Sequence, residues 1–272
     1  MTRFKTCCKI NLGLLVTAKR PDGYHNLQTV FYPIPLSDEL SIEEAEEDRL
    51  YMSGIALDGD PHDNLVMRAI RILREKGYTI PPLHISLHKN IPSGAGLGGG
   101  SSDAAATLVQ LNSLYRLGMG QQEMERTVAP LGADCPFFVR CQPVYAEGIG
   151  DVFTPISLTL KGMYIVLVKP NESVSTREAY AHVHPQMPQV SLIERISKPV
   201  ETWRECVTND FEQSVFSTHP IIRQVKEQLY SAGAVYASMS GSGSTVFGLF
   251  RKDPELLTRG MFSGMFLYKT RL

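Results

Sequence analysis

The segment Pro92-Ser-Gly-Ala-Gly-Leu-Gly-Gly-Gly-Ser-Ser102 constrains this chain more than any other. It packs five glycines into eleven residues. Before it, Leu83 to His88 alternates apolar and polar residues and reads as a strand; after it, Ser101 to Asn112 is Ala-rich and apolar and reads as a helix opened by hydroxyl caps and an acid in its first turn. Glycines let backbone N–H groups come close to a ligand, and the following helix adds about half a positive charge at that end. The result is an anion site that needs no basic side chain, and phosphate is the expected guest. A loop that merely needs positive φ angles would use one or two glycines. Composition makes such a local device necessary: Lys+Arg 27 against Asp+Glu 28 gives a formal net charge of −1. That balance leaves no overall electrostatic footprint for nucleic acid.

Two familiar glycine patterns are set aside. A Walker A loop requires G-x-x-x-x-G-K-S/T, and no Lys follows these glycines. Gly94, Gly96 and Gly99 do satisfy G-x-G-x-x-G, but a dinucleotide fold calls for an acid about 20 residues on, at a strand end. That region is Leu117-Gly-Met-Gly120.

The 272 residues suffice for one large domain or two modest ones, and 43% hydrophobic with 20% charged residues is ordinary globular usage. Lys9 to Thr17 and Leu27 to Ile34 read as strands around the turn Arg20-Pro-Asp-Gly23. Asn64 to Gly77 reads as a helix capped by Asp63 or Asn64. The acidic stretch Glu43 to Asp48 reads as a solvated hairpin or edge. A strand at Met163 to Val168, a helix at Ile221 to Ala232 and a strand on each side of Ser240-Gly-Ser-Gly-Ser244 follow. The expected architecture is α/β, mixed α+β sandwiches in two domains, 1–153 and 154–272, divided near Gly148 to Pro155. Five cysteines without a C-x-x-C pair argue against zinc and against a disulfide framework, so reduced thiols are expected. The N-terminus interrupts its apolar stretch with Lys9, Asn11 and Gly13 and makes a poor signal peptide. A soluble, cytoplasmic protein without membrane partner is expected.

With its loop in view, the sequence resembles the GHMP kinases, whose phosphate loop has the form P-x-G-x-G-L-G-S/G-S-S. Three blocks stand in family order: Lys9-Ile-Asn-Leu12, Pro92 to Ser102, and Ser240-Gly-Ser-Gly243. Two more, Arg20-Pro-Asp-Gly-Tyr-His25 and Leu131-Gly-Ala-Asp-Cys-Pro-Phe-Phe138, with Asn209-Asp-Phe-Glu212, resemble one branch of it. That branch phosphorylates a cytidine-diphosphate-linked methylerythritol in non-mevalonate isoprenoid synthesis. The resemblance implies a ribosomal-protein-like N-terminal domain and a ferredoxin-like C-terminal domain, with ATP and acceptor meeting between them. It implies ATP with Mg²⁺ as co-substrate, no tightly bound cofactor, and a monomer or weak homodimer. Another alcohol acceptor, or a non-catalytic nucleotide-binding relative, is the alternative.

The residue roles follow from the same resemblance. Asp134 takes the position of the catalytic base and Lys9 that of its cationic partner; a pair about 4 Å apart gains roughly 4 kcal/mol at an effective dielectric of 20. Asp134 as a plain helix cap before Pro136 is the competing account. Pro92, Ser93, Gly94, Ala95, Gly96, Leu97, Gly98, Gly99, Gly100, Ser101 and Ser102 would cradle the phosphates, though either serine can equally cap the helix. Asp103 either complements the helix dipole or touches Mg²⁺ through water, and no protein ligand of the metal can be named. Asn64 and Lys89 are candidates at the adenine, Asn64 being as good a cap. Asn11 would bind the methylerythritol end, with Gly241 and Ser242 of the third block at the substrate. Tyr24 and His25 would meet the cytosine by stacking and hydrogen bonding, with Tyr180 on the other face of the base; a turn Tyr packed on the core is the bland alternative for Tyr24.

Overall fold

The computed structural model describes residues 1–56, 63–255 and 260–272. The chain forms two compact units, one of residues 1–8, 35–93 and 98–142, the other of 9–34, 94–97 and 143–272. These bounds differ from a single cut after residue 153. Strands β2 (Cys8–Lys19) and β3 (His25–Ile34) share a sheet with β7 (Val144–Glu147) and β8 (Val152–Pro155), so an early hairpin belongs with the later residues.

In the first unit a four-stranded sheet runs β1 (Thr2–Lys5), β4 (Glu39–Glu44), β6 (Leu83–Lys89), β5 (Arg49–Gly54). Strand β5 pairs with β6 in parallel and the other pairings are antiparallel. Strands β4 and β5 are therefore no hairpin, because β6 lies between them. The alternation of β6 buries Leu83, Ile85 and Leu87 against Val66, Ile70 and Leu73 of α1 (Leu65–Glu75) and Ala104, Leu108 and Leu111 of α2 (Gly99–Leu114). Each such large aliphatic side chain contributes about 1.5–3 kcal/mol. Helix α1 starts on Asn64, whose Oδ1 accepts the Val66 N–H at 2.9 Å. It is closed by Arg74, which forks onto Asp48 and also donates to Ile80 and Pro81 carbonyls. One member of the acidic stretch is thus structural, and Arg74 holds the Asp48 carboxyl below its ordinary range. Helices α3 (Gln121–Val128) and α4 (Cys135–Arg140) complete the unit.

The second unit holds the sheet β2-β3-β7-β8 and an antiparallel sheet β10 (Tyr236–Met239), β11 (Val246–Phe250), β9 (Tyr164–Lys169), β12 (Phe266–Arg271). Helices α8 (Phe211–Thr218) and α9 (Pro220–Ser231), with the short α5 (Thr176–Tyr180), bury Phe211, Val215, Ile222, Val225 and Leu229 with Val166, Val168 and Val246. Short helices α6 (Leu192–Ile196) and α7 (Trp203–Cys206) link α5 to α8. The turn between β2 and β3 closes with Arg20 N donating to Tyr24 O at 2.8 Å, as Arg20-Pro-Asp-Gly23 predicts.

The thiol expectation is corrected at one pair. Cys7 and Cys141 are joined by a disulfide, and Cys8, Cys135 and Cys206 are free. The partners lie 134 residues apart in sequence, one after β1 and one capping α4, so spacing carries no trace of the pairing. Among the described residues no helix is long and apolar enough to cross a membrane.

Candidate active site

The glycine-rich loop is built differently in its two halves. Helix α2 begins at Gly99, two residues before the expected start, on a left-handed Gly98 (φ +71°) and with no side chain capping it. Ser101 and Ser102 are therefore not caps, and Asp103 lies beyond the first turn. The glycine start leaves the first N–H groups of α2 without a side-chain acceptor, which suits them to a bound anion. Ser102 Oγ accepts the Cys7 N–H at 3.2 Å. Gly99 has no room for a side chain, since a Cβ would stand 2.9 Å from Ile91 Cγ2.

Lys89, expected at the adenine, points into the fold. It is 3% exposed and its ammonium bonds Asp103 Oδ2 at 2.7 Å and Asp38 Oδ2. Asp103 is equally enclosed; burial pushes its carboxyl up to about 7 against the pull of Lys89. Sequence reasoning missed Asp38 altogether.

In the second unit Lys9, Asn11, Gly96 and Ser240 converge. Lys9 N donates to Leu97 O, and its Nζ donates to Asn11 Oδ1 at 2.7 Å and Gly96 O at 3.0 Å, 5.0 Å from the centre of the Phe31 ring. Lys9 and Asn11 are two apart on β2 and so share a face. Thr29, also missed, orients Asn11: its Oγ1 accepts the Asn11 amide at 2.9 Å and donates to Gly13 O at 2.6 Å. Ser240 Oγ donates to Gly96 O at 2.8 Å, and Thr245 N donates to Ala95 O. A Cβ on Gly96 (φ +72°) would stand 2.0 Å from Ser240 O, and one on Gly241 would be 3.4 Å from Asn11 Oδ1. Ala95 and Leu97 are buried while Ser93, Gly94 and Gly100 face solvent, so the apolar residues anchor the loop and the others present it. Ser242 is half-buried. The Asn209 block is structural here: Asn209 Nδ2 donates to Met239 O and Gly241 O, and Glu212 accepts the Met239 N–H.

Asp134 precedes α4 as its N-cap by position, yet its side chain makes no capping hydrogen bond. The competing account of it as a plain cap is thereby removed. Tyr24 is 61% exposed, which removes its reading as a core tyrosine. His25 stacks on Tyr180 with ring centres 4.7 Å apart at 22°, and Phe211 meets Tyr180 edge-on at 4.6 Å. A base that lies on that face of Tyr180 has to displace His25. Among the described residues no group of three or more His, Cys, Asp or Glu side chains is arranged to hold a metal ion.

The sequence profile described as "GHMP kinases N terminal domain" matches residues 64–142, and "GHMP kinases C terminal" matches residues 191–262. Together they span more than half of the chain. The chain belongs to the GHMP kinases. As a member of this family it is a small-molecule kinase with the two-domain α/β fold of that family. Among relatives of this GHMP kinase, the 4-diphosphocytidyl-2-C-methyl-D-erythritol kinase of Bacteroides fragilis is 51% identical over 268 residues, covering 97% of each chain. A crystal structure of 4-(cytidine 5'-diphospho)-2C-methyl-D-erythritol kinase superposes with a TM-score of 0.74 at 33% identity, over 91% of this chain and 90% of that one. The Streptococcus pneumoniae phosphomevalonate kinase, solved with phosphomevalonate and AMPPNP, shares the fold at a TM-score of 0.69 and 18% identity, over 100% of both chains.

Proposed function

We propose that this GHMP kinase transfers the γ-phosphoryl group of MgATP to the 2-hydroxyl of 4-diphosphocytidyl-2-C-methyl-D-erythritol, giving the 2-phosphate and ADP for non-mevalonate isoprenoid synthesis. The observation that carries the reading is the 51% identity, over 97% of both chains, to a relative bearing that enzyme's name. The glycine loop and the uncapped start of α2 receive the polyphosphate through backbone N–H groups. Mg²⁺ enters with ATP and neutralises part of its charge.

Phosphoryl transfer has a loose transition state, so alignment and charge stabilisation outweigh full deprotonation of the acceptor. Asn11 and Gly96 hold the Lys9 ammonium in one direction, and that ammonium stabilises the developing negative charge. Asp134 accepts the hydroxyl proton, a role worth about 10² to 10⁴ in rate. Asn64 and the Leu65-Val66 start of α1 serve the adenine, while Tyr24, His25 and Tyr180 bind the cytosine, with Gly241 and Ser242 beside the acceptor. The enzyme works in the cytoplasm as a monomer or weak homodimer. Reduced thiols are the rule there, so thiol labelling of protein taken from cells tests this placement against the Cys7–Cys141 bond.

The deciding experiment is coupled ADP release with MgATP and a panel of acceptors: the diphosphocytidyl-methylerythritol, free methylerythritol, its phosphate, mevalonate and homoserine. Turnover confined to the cytidylated acceptor supports the reading. Turnover on another acceptor keeps the kinase and removes the roles given to Tyr24, His25 and Tyr180.

A further inference from the structure

The first unit contains a circuit of buried charge that the reaction does not use directly. Asp38, fully enclosed, accepts on Oδ1 the peptide N–H groups of Asn90 at 2.6 Å and Ile91 at 2.8 Å, and on Oδ2 the ammonium of Lys89. Lys89 bridges from there to Asp103 on α2. The Asp38 backbone is fixed in turn, its N–H donating to Thr6 Oγ1 at 3.0 Å and its carbonyl accepting the Thr6 N–H at 3.0 Å. The next residue, Cys7, donates its N–H to Ser102 Oγ on the first turn of α2. Asn90 Nδ2 adds a bond to Ser37 O.

The circuit therefore closes. From α2 it runs through Lys89 to Asp38, through Thr6 to Cys7, and back to α2. What it fixes are the two ends of the glycine loop: Asn90 and Ile91 just before Pro92, and Ser102 and Asp103 just after Gly100. The loop's glycines have no side chains with which to hold their own shape, so the geometry of the N–H cradle depends on its fixed ends as well as on the bonds to Ala95, Gly96 and Leu97 within it. Isolated ion pairs buried this deeply do not favour folding over well-packed apolar residues. Their value lies in direction: carboxylate and ammonium bonds fix positions that apolar contacts leave free to slide.

We infer that Asp38 is a positioning residue for nucleotide binding, acting through Asn90, Ile91, Lys89 and Asp103 to hold the phosphate loop in the shape that receives MgATP. This rests on the reading of that loop as the polyphosphate site. Asp38 touches neither substrate. Its loss leaves the side chains of Lys9, Asn11 and Asp134 as they are, so the defect falls on nucleotide affinity rather than on the chemical step.

The test is Asp38→Asn in the full chain. The amide oxygen can still accept from Asn90 and Ile91, but its NH₂ faces the Lys89 ammonium and breaks the pairing. Circular dichroism and thermal melting establish that the variant is folded. The expected result is a rise in KM for MgATP of about 10-fold or more, with kcat and the KM for acceptor within about 3-fold of wild type. Asp103→Asn, which leaves Lys89–Asp38 as a neutral pair and is the safer fold, is expected to raise the KM for MgATP about 3-fold with the same split. An unchanged KM for MgATP in a folded Asp38→Asn or Asp103→Asn protein overturns the inference. So does a fall in kcat with the nucleotide KM unmoved. Calorimetric titration with MgAMPPNP measures the same affinities without any acceptor. A wild type that binds MgAMPPNP but phosphorylates no acceptor therefore sinks the proposed function, while a Kd raised about 10-fold in Asp38→Asn still upholds the positioning role.

Discussion

Among the described residues each unit buries one lysine, Lys9 and Lys89, and each is 3% exposed. Lys89 sits between two carboxylates, Asp38 and Asp103, and its charge is cancelled inside the fold. Lys9 is steered by an amide oxygen, a peptide carbonyl and the face of Phe31. Carboxylates turn a buried lysine into a structural bolt. An amide oxygen and a peptide carbonyl give the other its direction. Burial alone thus says nothing of a lysine's role; the partners decide it.

The contrast breaks most directly at Lys9. Lys9→Ala is expected to lower kcat by about 10³ or more while leaving the Kd for MgAMPPNP within about 3-fold, because removing an electrostatic stabiliser of the transition state costs about 10² to 10³ and, on the proposed roles, the base Asp134 would also act without its cation. Stopped-flow or coupled ADP assays read the first quantity and calorimetry the second. A comparable loss of nucleotide binding in folded protein would remove Lys9 from the chemistry.

Next is the loop that Lys9 meets. In Gly96→Ala the new Cβ collides with backbone, Ser240 O, at a positive φ. Strain of that kind costs on the order of 1–3 kcal/mol before the clash is counted. The melting temperature should fall by several degrees and turnover by at least 10-fold; a wild-type melt would show that the loop relaxes freely.

A smaller effect is expected at Thr29, which aims Asn11 as Asn11 aims Lys9. Thr29→Val leaves the Asn11 amide and Gly13 O without their shared partner, at a cost of about 1–3 kcal/mol. The KM for acceptor should rise several-fold with the nucleotide Kd unmoved. An equal shift in both would mean that Thr29 supports the fold at large.

The smallest concerns His219, held at 2.5 Å by Glu172 and at 2.9 Å by Glu178, the latter on the helix of Tyr180. Burial pulls its pKa down, but Glu178 and Glu172 outweigh that and leave it raised. A raised folded-state pKa gives stability that is fully present below the ordinary value of 6.5 and lost as pH rises through the folded one. The melting difference between wild type and His219→Gln should therefore be larger at pH 6 than at pH 9. A difference that grows with pH would reverse the sign and sink the claim.

What the sequence disclosed follows the same division. The glycine loop was legible because five glycines between a strand and a helix have few other uses. Lys9 and Asn11 were singled out by the block Lys9-Ile-Asn-Leu12 that resembles the family, not by periodicity, since the first ten residues of β2 are all buried. Lys89 was a candidate through the resemblance alone; its enclosure gave no signal in the sequence, because Asp38, one of the acids that enclose it, lies 51 residues earlier. Asp38 and Thr29 gave no signal beyond one polar residue in an ordinary setting. The start of α2 was placed late because hydroxyl residues are good caps; a left-handed Gly98 begins the helix sooner. Cys7 and Cys141 were beyond reach for the same reason as Asp38, a partner far away in sequence.

The most direct measurement of the central claim sets two variants side by side, Lys9→Ala and Asp38→Asn, each taken through MgAMPPNP calorimetry and single-turnover phosphoryl transfer at saturating nucleotide. The expected result is a crossed pattern: Lys9→Ala binds nucleotide as wild type does and transfers at least about 10³-fold more slowly, whereas Asp38→Asn binds about 10-fold more weakly and transfers at near wild-type rate once saturated. The same defect in both variants would contradict the division of labour between the aimed lysine and the bolted one.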